Sequence, residues 1–169
     1  MRTYFFDTSA LVPKYVSGTF SHRINLIFSG ANRSFHICEL TLIEMSSTLA
    51  KIYRKRRLTV AEFLRLRALF EDDIASGVLQ VRTITQADLM DARDLLEDAA
   101  VLNKRDLRSA DAIIGACCRG LAYELKSRAI FYTKDWTQYS SVRSIQSYRS
   151  ALKLRYLGRG KGGIPSQTE

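Results

Sequence analysis

An α/β fold is predicted by three features of the sequence. Segments rich in strand-forming residues alternate with segments of helical apolar periodicity; the first strand is apolar at successive positions; and it runs straight into a helix-starting turn. In MRTYFFDTSALVPKY the run Tyr4-Phe5-Phe6 has no polar face, the pattern of a strand covered on both sides as in a parallel sheet. Asp7 then falls at the C-terminal edge of that strand, and Thr8 or Ser9 can cap a helix beginning near Ala10-Leu11. Open parallel sheets place their ligand crevices at this edge. A single aspartate there is, on its own, most simply a helix cap.

The remaining elements follow in order. FSHRINLIFSG (20–30) suits a short helix stopped at Gly30, and SFHIC (34–38) a second strand. From Thr41, TLIEMSSTLAKIYRKRR carries Leu42, Met45, Leu49 and Ile52 at spacings of three and four, with its basic end favourably placed on the helix dipole. A partner helix over 59–77 starts at Thr59 and buries Phe63, Leu66, Phe70 and Ile74, so the two form a hairpin. VLQVRTI (78–84) alternates as a third strand, and a helix capped at Thr85 runs to 102. LRSADAIIGACCRG (107–120) is apolar around most of its circumference and reads as a buried helix. AIFYT (129–133) is a further strand, and SVRSI (141–145) a weaker last one.

At 169 residues, 46% hydrophobic and 25% charged, the composition suits one domain, placed at 1–150, with a basic, flexible tail over 151–169. No apolar run approaches the roughly 20 residues that span a bilayer, and the N-terminus lacks a secretory pattern, so a cytoplasmic location is expected. Cys38 and the adjacent Cys117-Cys118 lack metal-site spacing and read as small, reduced core residues. The net charge of +9 favours a polyanionic partner such as nucleic acid. The excess is uneven: KIYRKRR (51–57) holds five basic residues, and 136–168 holds six with no acid. By contrast, DLMDARDLLED (88–98) reads as the solvated acidic face of a helix.

The other acids sort by position. Asp7 follows the first strand, Glu44 lies in the first turn of the helix after the second, Asp111 starts a buried helix, and Asp135 comes two residues after AIFYT. Any one of them is most simply a cap or a dipole partner. Four at one sheet edge are different, because gathered carboxylates raise one another's pKa unless a cation neutralises them. Hard divalent cations such as Mg²⁺ or Mn²⁺ favour such oxygen ligands, and there is no His or Cys cluster to suit zinc. His22 and His36 read as ordinary helix and strand residues.

FFDTSAL, LTLIEMSSTLAK, LRSADAIIGA and FYTKDWTQY resemble the four acidic motifs of PIN-domain ribonucleases, particularly the VapC-like toxins of toxin–antitoxin pairs, over about Thr3 to Ile145. The resemblance implies a PIN-like three-layer sandwich whose central, mostly parallel sheet of four or five strands is flanked by helices. It also implies Mg²⁺- or Mn²⁺-dependent RNA cleavage and a cognate antitoxin, with a homodimer as a further option. By the same resemblance Asp7, Glu44, Asp111 and Asp135 are the metal-binding and catalytic acids, Thr8 or Ser9 an accessory polar contact, and Thr133 a hydroxyl lining the site. Phosphodiester chemistry assigns the metal to Asp7, Asp111 and Asp135, with Glu44 a further ligand or a water-orienting base. Arg54, Lys55, Arg56 and Arg57, with Lys51, are candidate contacts to RNA phosphates, which give affinity but little sequence choice. Asp106 is a competing carboxylate, read as a helix N-cap or a partner for Arg105 or Arg108. Tyr139, Tyr148 and Tyr156, among basic residues, are candidates for stacking on bases, although such tyrosines more often serve as half-buried packing.

Other classes fit less well. A haloacid-dehalogenase-like site needs a second Asp two residues after the first, where Ser9 stands; a receiver domain needs a phosphoacceptor Asp after the third strand, where Thr85 and Gln86 stand. A non-catalytic RNA-binding domain of the same fold would lack some of the four acids, and all are present.

Overall fold

Phe5 and Phe6 project to opposite faces of one sheet, and each anchors a separate hydrophobic core. In the computed structural model, which describes residues 1–55, 57–103 and 107–157, the sheet contains β1 (Arg2–Phe6), β2 (Arg33–Cys38), β3 (Gln80–Arg82), β4 (Ala129–Thr133) and β5 (Leu152–Tyr156). Their order is β3-β2-β1-β4-β5, and every pairing is parallel. The helices are α1 (Thr8–Tyr15), α2 (Ser21–Phe28), α3 (Glu39–Arg54), α4 (Val60–Ala75), α5 (Gln86–Val101), α6 (Ser109–Glu124), α7 (Trp136–Ser144) and α8 (Gln146–Ala151). On one face Phe5 and Phe131 pack with Leu95 of α5, Ile114 and Cys117 of α6, and Tyr148 of α8. On the other, Tyr4 and Phe6 pack with Leu11, Ile24, Met45 and Phe70 from α1 to α4. The α/β three-layer sandwich expected from the sequence is therefore the observed fold.

The topology places a site. From β1 the chain builds outward through β2 and β3, then returns to place β4 against the other side of β1. The order reverses between β1 and β4, and at such a reversal the loops leaving the two strands diverge and open a crevice beyond their C-terminal ends. Asp7 leaves β1 at that point, and Asp135 leaves β4.

Several local expectations need correction. SVRSI is not a strand: residues up to Ser144 belong to α7, and Val142 packs into the core. The fifth strand is LKLRY, residues 152–156, inside the stretch expected to be a flexible tail; as an edge strand it buries mainly Leu152, and its charged alternates disguise it. Residues 158–169 of that tail lie outside the described residues. The helix after β2 starts at Glu39, not Thr41, so Glu44 sits in its second turn. The acidic run of α5 is not simply a solvated face. Asp88 completes a capping box with Thr85 and, only 3% exposed, takes the Arg82 guanidinium at 2.6 Å, while Asp91 pairs with Arg119 and accepts from the Tyr148 hydroxyl at 2.8 Å. These acids join α5 to β3, α6 and α8. All three cysteines are free and buried, as expected. Among the described residues, no helix is long and apolar enough to cross a membrane.

Candidate active site

Asp7 is itself the N-cap of α1, as a lone aspartate at the strand end suggests, while Thr8 and Ser9, the other capping candidates, fall inside the helix: the Asp7 carboxylate accepts from the Ala10 backbone N–H at 2.8 Å. Because β1 ends one residue earlier, the cap lies directly over the strand end, and its own N–H donates to the Tyr132 carbonyl of β4 at 3.1 Å. The Ser9 hydroxyl reaches both Asp7 oxygens at 2.9 and 3.0 Å, and the Thr133 hydroxyl donates to Oδ2 at 2.7 Å. Asp7 is nevertheless only 4% exposed. Burial pushes its pKa up to about 7; hydrogen bonds from Thr133, Ala10 and Ser9 pull against this, and the charge of Asp111 adds to it.

The other three acids come from three further elements. Asp111 lies in the first turn of α6, buried. Asp135 precedes α7, where its Oδ1 accepts from the Gln138 N–H at 3.1 Å while its own N–H donates to Thr133 Oγ1 at 2.9 Å. Gln138 in turn donates from Nε2 to the Asp111 carbonyl at 3.0 Å, tying α7 to α6 behind the carboxylates. Glu44 projects from α3 and accepts from Thr8 Oγ1 at 2.5 Å. The structure therefore brings all four predicted acids to one cavity of about 410 Å³, together with Thr8 and Ser9; Thr133 is fully buried behind Asp7.

Besides the apolar Val12, four polar residues line the site without having been expected there. Ser47 and Thr48 line the cavity one helical turn beyond Glu44, a relationship legible in principle from their i+3 and i+4 spacing. Lys134 lies at the rim, its Nζ 5.0 Å from the Phe20 ring centre. Asp106, read as a helix N-cap or a partner for Arg105 or Arg108, lies outside the described residues. The Arg108 guanidinium takes Asp111 in a fork, Nε to Oδ2 at 2.8 Å and Nη2 to Oδ1 at 3.2 Å, and Nη2 also reaches Asp135 Oδ2 at 3.3 Å. The i,i+3 spacing of Arg108 and Asp111 is the signal that points to this pair.

Arg54, the last residue of α3, and Lys55 and Arg57 beyond it are exposed and do not line the cavity; Arg56 lies outside the described residues. Of the tyrosines, Tyr148 is buried in the core, whereas Tyr139 and Tyr156 pair with ring centres 5.5 Å apart.

The acidic side chains suit a hard cation. Every acidic group at the cavity is a carboxylate, no thiol or imidazole lines it, and a buried carboxylate with a raised pKa gains from a nearby positive charge. Among the described residues, no three His, Cys, Asp or Glu side chains form a ready-made metal cage. Among the described residues, the Arg108 guanidinium pairs with both Asp111 and Asp135.

A strand-edge acid site on a five-stranded parallel sheet defines a class, and the sequence agrees with it: the family model for the PIN domain matches residues 4–140, and the chain belongs to that family. The fold is shared with solved structures at low sequence identity. The VapBC2 complex of Rickettsia felis, bound to a promoter DNA fragment, is 15% identical over 92% of this chain and 99% of its own, with a TM-score of 0.63. FitAcB of Neisseria gonorrhoeae is 12% identical over 88% and 95%, with a TM-score of 0.64. VapBC-5 of Mycobacterium tuberculosis, a member of the VapBC family of toxin–antitoxin systems, is 13% identical over 93% and 100%, with a TM-score of 0.61. No curated protein matches the sequence.

Proposed function

We propose that this protein is a divalent-metal-dependent endoribonuclease that hydrolyses RNA phosphodiester bonds, acting as the toxin of a toxin–antitoxin pair. The observation that carries the reading is the convergence of Asp7, Glu44, Asp111 and Asp135 on one cavity at the reversal point of the sheet. Membership of the PIN family and the similarity to toxin–antitoxin complexes support it.

Asp7, Asp111 and Asp135 are the residues that would hold Mg²⁺ or Mn²⁺. Such an ion, when bound, supplies charge neutralisation for the phosphate and a bound water of lowered pKa. The chain's own groups supply the rest. Thr133 and Ser9 fix the Asp7 carboxylate, and Gln138 ties the Asp111 and Asp135 sides of the cavity together through the Asp111 carbonyl and Asp135 Oδ1. Glu44, held by Thr8 on the α3 wall, is placed to orient an attacking water and accept its proton. Lys134 at the rim offers a cation to a non-bridging phosphate oxygen. The cavity face of α3 continues from Glu44 through Ser47 and Thr48 to the exposed Lys51, so Lys51, Arg54, Lys55 and Arg57 extend from the site as phosphate contacts.

The test is cleavage of a labelled RNA by the purified chain in Mn²⁺ and in EDTA, beside Asp7→Asn and Asp111→Asn proteins shown by circular dichroism to be folded. The expected result is cleavage by the wild type in Mn²⁺ alone. Undiminished cleavage by either variant refutes the assignment.

A further inference from the structure

Arg108 occupies an unusual place for an arginine. It is the N-cap residue of α6, yet its side chain makes no capping bond. A positive charge at a helix N-terminus faces the positive end of the dipole, so the position offers it no local stabilisation. Its compensation comes from the cavity: both oxygens of Asp111 and one of Asp135, with Glu44 adding to the negative field that holds the guanidinium charged. The two partners differ sharply in exposure. The Arg108 side chain is 69% exposed and that of Asp111 6%, so the arginine can turn into solvent at small cost while the aspartate cannot follow. A divalent ion seated on Asp111 and Asp135 needs the same oxygens.

On this basis, and resting on the reading of the site as a divalent-cation centre, we infer that Arg108 is a built-in competitor of that cation: it holds Asp111 and Asp135 as a displaceable counter-ion and thereby sets the cation affinity of the site. Arg108 is a positioning residue in this scheme and not a metal ligand. The competition is between one positive charge delivered by the chain and two delivered by the ion, for one set of carboxylate oxygens.

The experiment is a Mn²⁺ titration of the full-length chain by calorimetry, for the wild type, Arg108→Gln and Arg108→Lys, with thermal unfolding followed with and without Mn²⁺. Arg108→Gln is expected to bind Mn²⁺ about three- to tenfold more tightly at the same stoichiometry, the range set by a forked but largely exposed ion pair. Its metal-free Tm falls, and its Mn²⁺-induced rise in Tm exceeds that of the wild type. Arg108→Lys keeps the charge and loses the fork, so it tightens binding by less, and raising the salt narrows all three differences. Wild-type binding with an unchanged or weaker affinity in Arg108→Gln overturns the inference alone. No Mn²⁺ binding by either protein overturns the reading of the site together with it. Should Arg108→Gln fail to fold, Arg108→Lys decides: an affinity equal to or below the wild type overturns the inference.

Discussion

The Thr133 hydroxyl donates to Asp7 Oδ2 at 2.7 Å and so joins the C-terminal ends of two adjacent parallel strands, buried behind the cavity. Thr133 Oγ1 also accepts the Asp135 N–H at 2.9 Å, making one buried hydroxyl the link between two of the four acids. Thr133→Val keeps the shape and removes both bonds, taking from the part-buried Asp135 N–H this acceptor. It should cost about 1–3 kcal/mol in urea unfolding, and Thr133→Ser should recover most of that. Equal stability of Thr133→Val and wild type would show that the hydroxyl does not organise the pair.

Asp7 makes stability depend on pH. Its pKa is pushed from 3.8 up to about 7, chiefly by burial. Between those values the folded protein keeps a proton that the unfolded chain has released, so stability falls as pH rises through this window, and the loss is complete above about pH 7. In metal-free buffer, Asp7→Asn should therefore gain on the wild type by about 2–4 kcal/mol near pH 8, with the difference shrinking steadily toward pH 4. Denaturant unfolding of both proteins across this range checks it; a pH-independent difference would place the titration elsewhere.

Much of this architecture is legible in the sequence alone. The strands β1 to β4 and the helices α1 to α6 announce themselves by apolar pattern and caps, and the four acids by their positions after strands or near helix starts. What is hidden depends on partners distant in sequence. β5 reads as a basic tail because only its pairing with β4 buries Leu152 and aligns Leu154 with Phe131. Asp88 and Asp91 read as a solvated helix face because Arg82 and Arg119, which neutralise them, come from other elements. Arg108 stands three residues before Asp111, and only the fold brings Asp135 alongside Asp111 to meet the same guanidinium.

Thr8 tests the role of Glu44. Its hydroxyl, 2.5 Å from Oε2, is the contact that ties Glu44 across from α3 to α1. Thr8→Val should leave the fold intact and lower Mn²⁺-dependent RNA cleavage by about 10- to 100-fold, the usual effect of removing a group that orients an acting side chain. Single-turnover cleavage measures this, and wild-type rates in Thr8→Val would release Glu44 from the mechanism.

The exposed charges at the end of α3 should act through phosphates. In an Asp7→Asn background, replacing Arg54, Lys55 and Arg57 together with Gln should weaken RNA binding and flatten the slope of log affinity against log salt by about one unit for each phosphate no longer neutralised. An unchanged slope with impaired antitoxin binding would assign the tract to the protein partner instead.

Anomalous scattering from a Mn²⁺-soaked crystal of the wild-type chain observes the proposed cation centre itself. The expected result is a manganese peak in the cavity within coordination distance of Asp7 and Asp111, with the Arg108 guanidinium turned away from Asp111. Crystals saturated with Mn²⁺ that show no peak there, and Arg108 still forked on Asp111, would contradict a metal-dependent site.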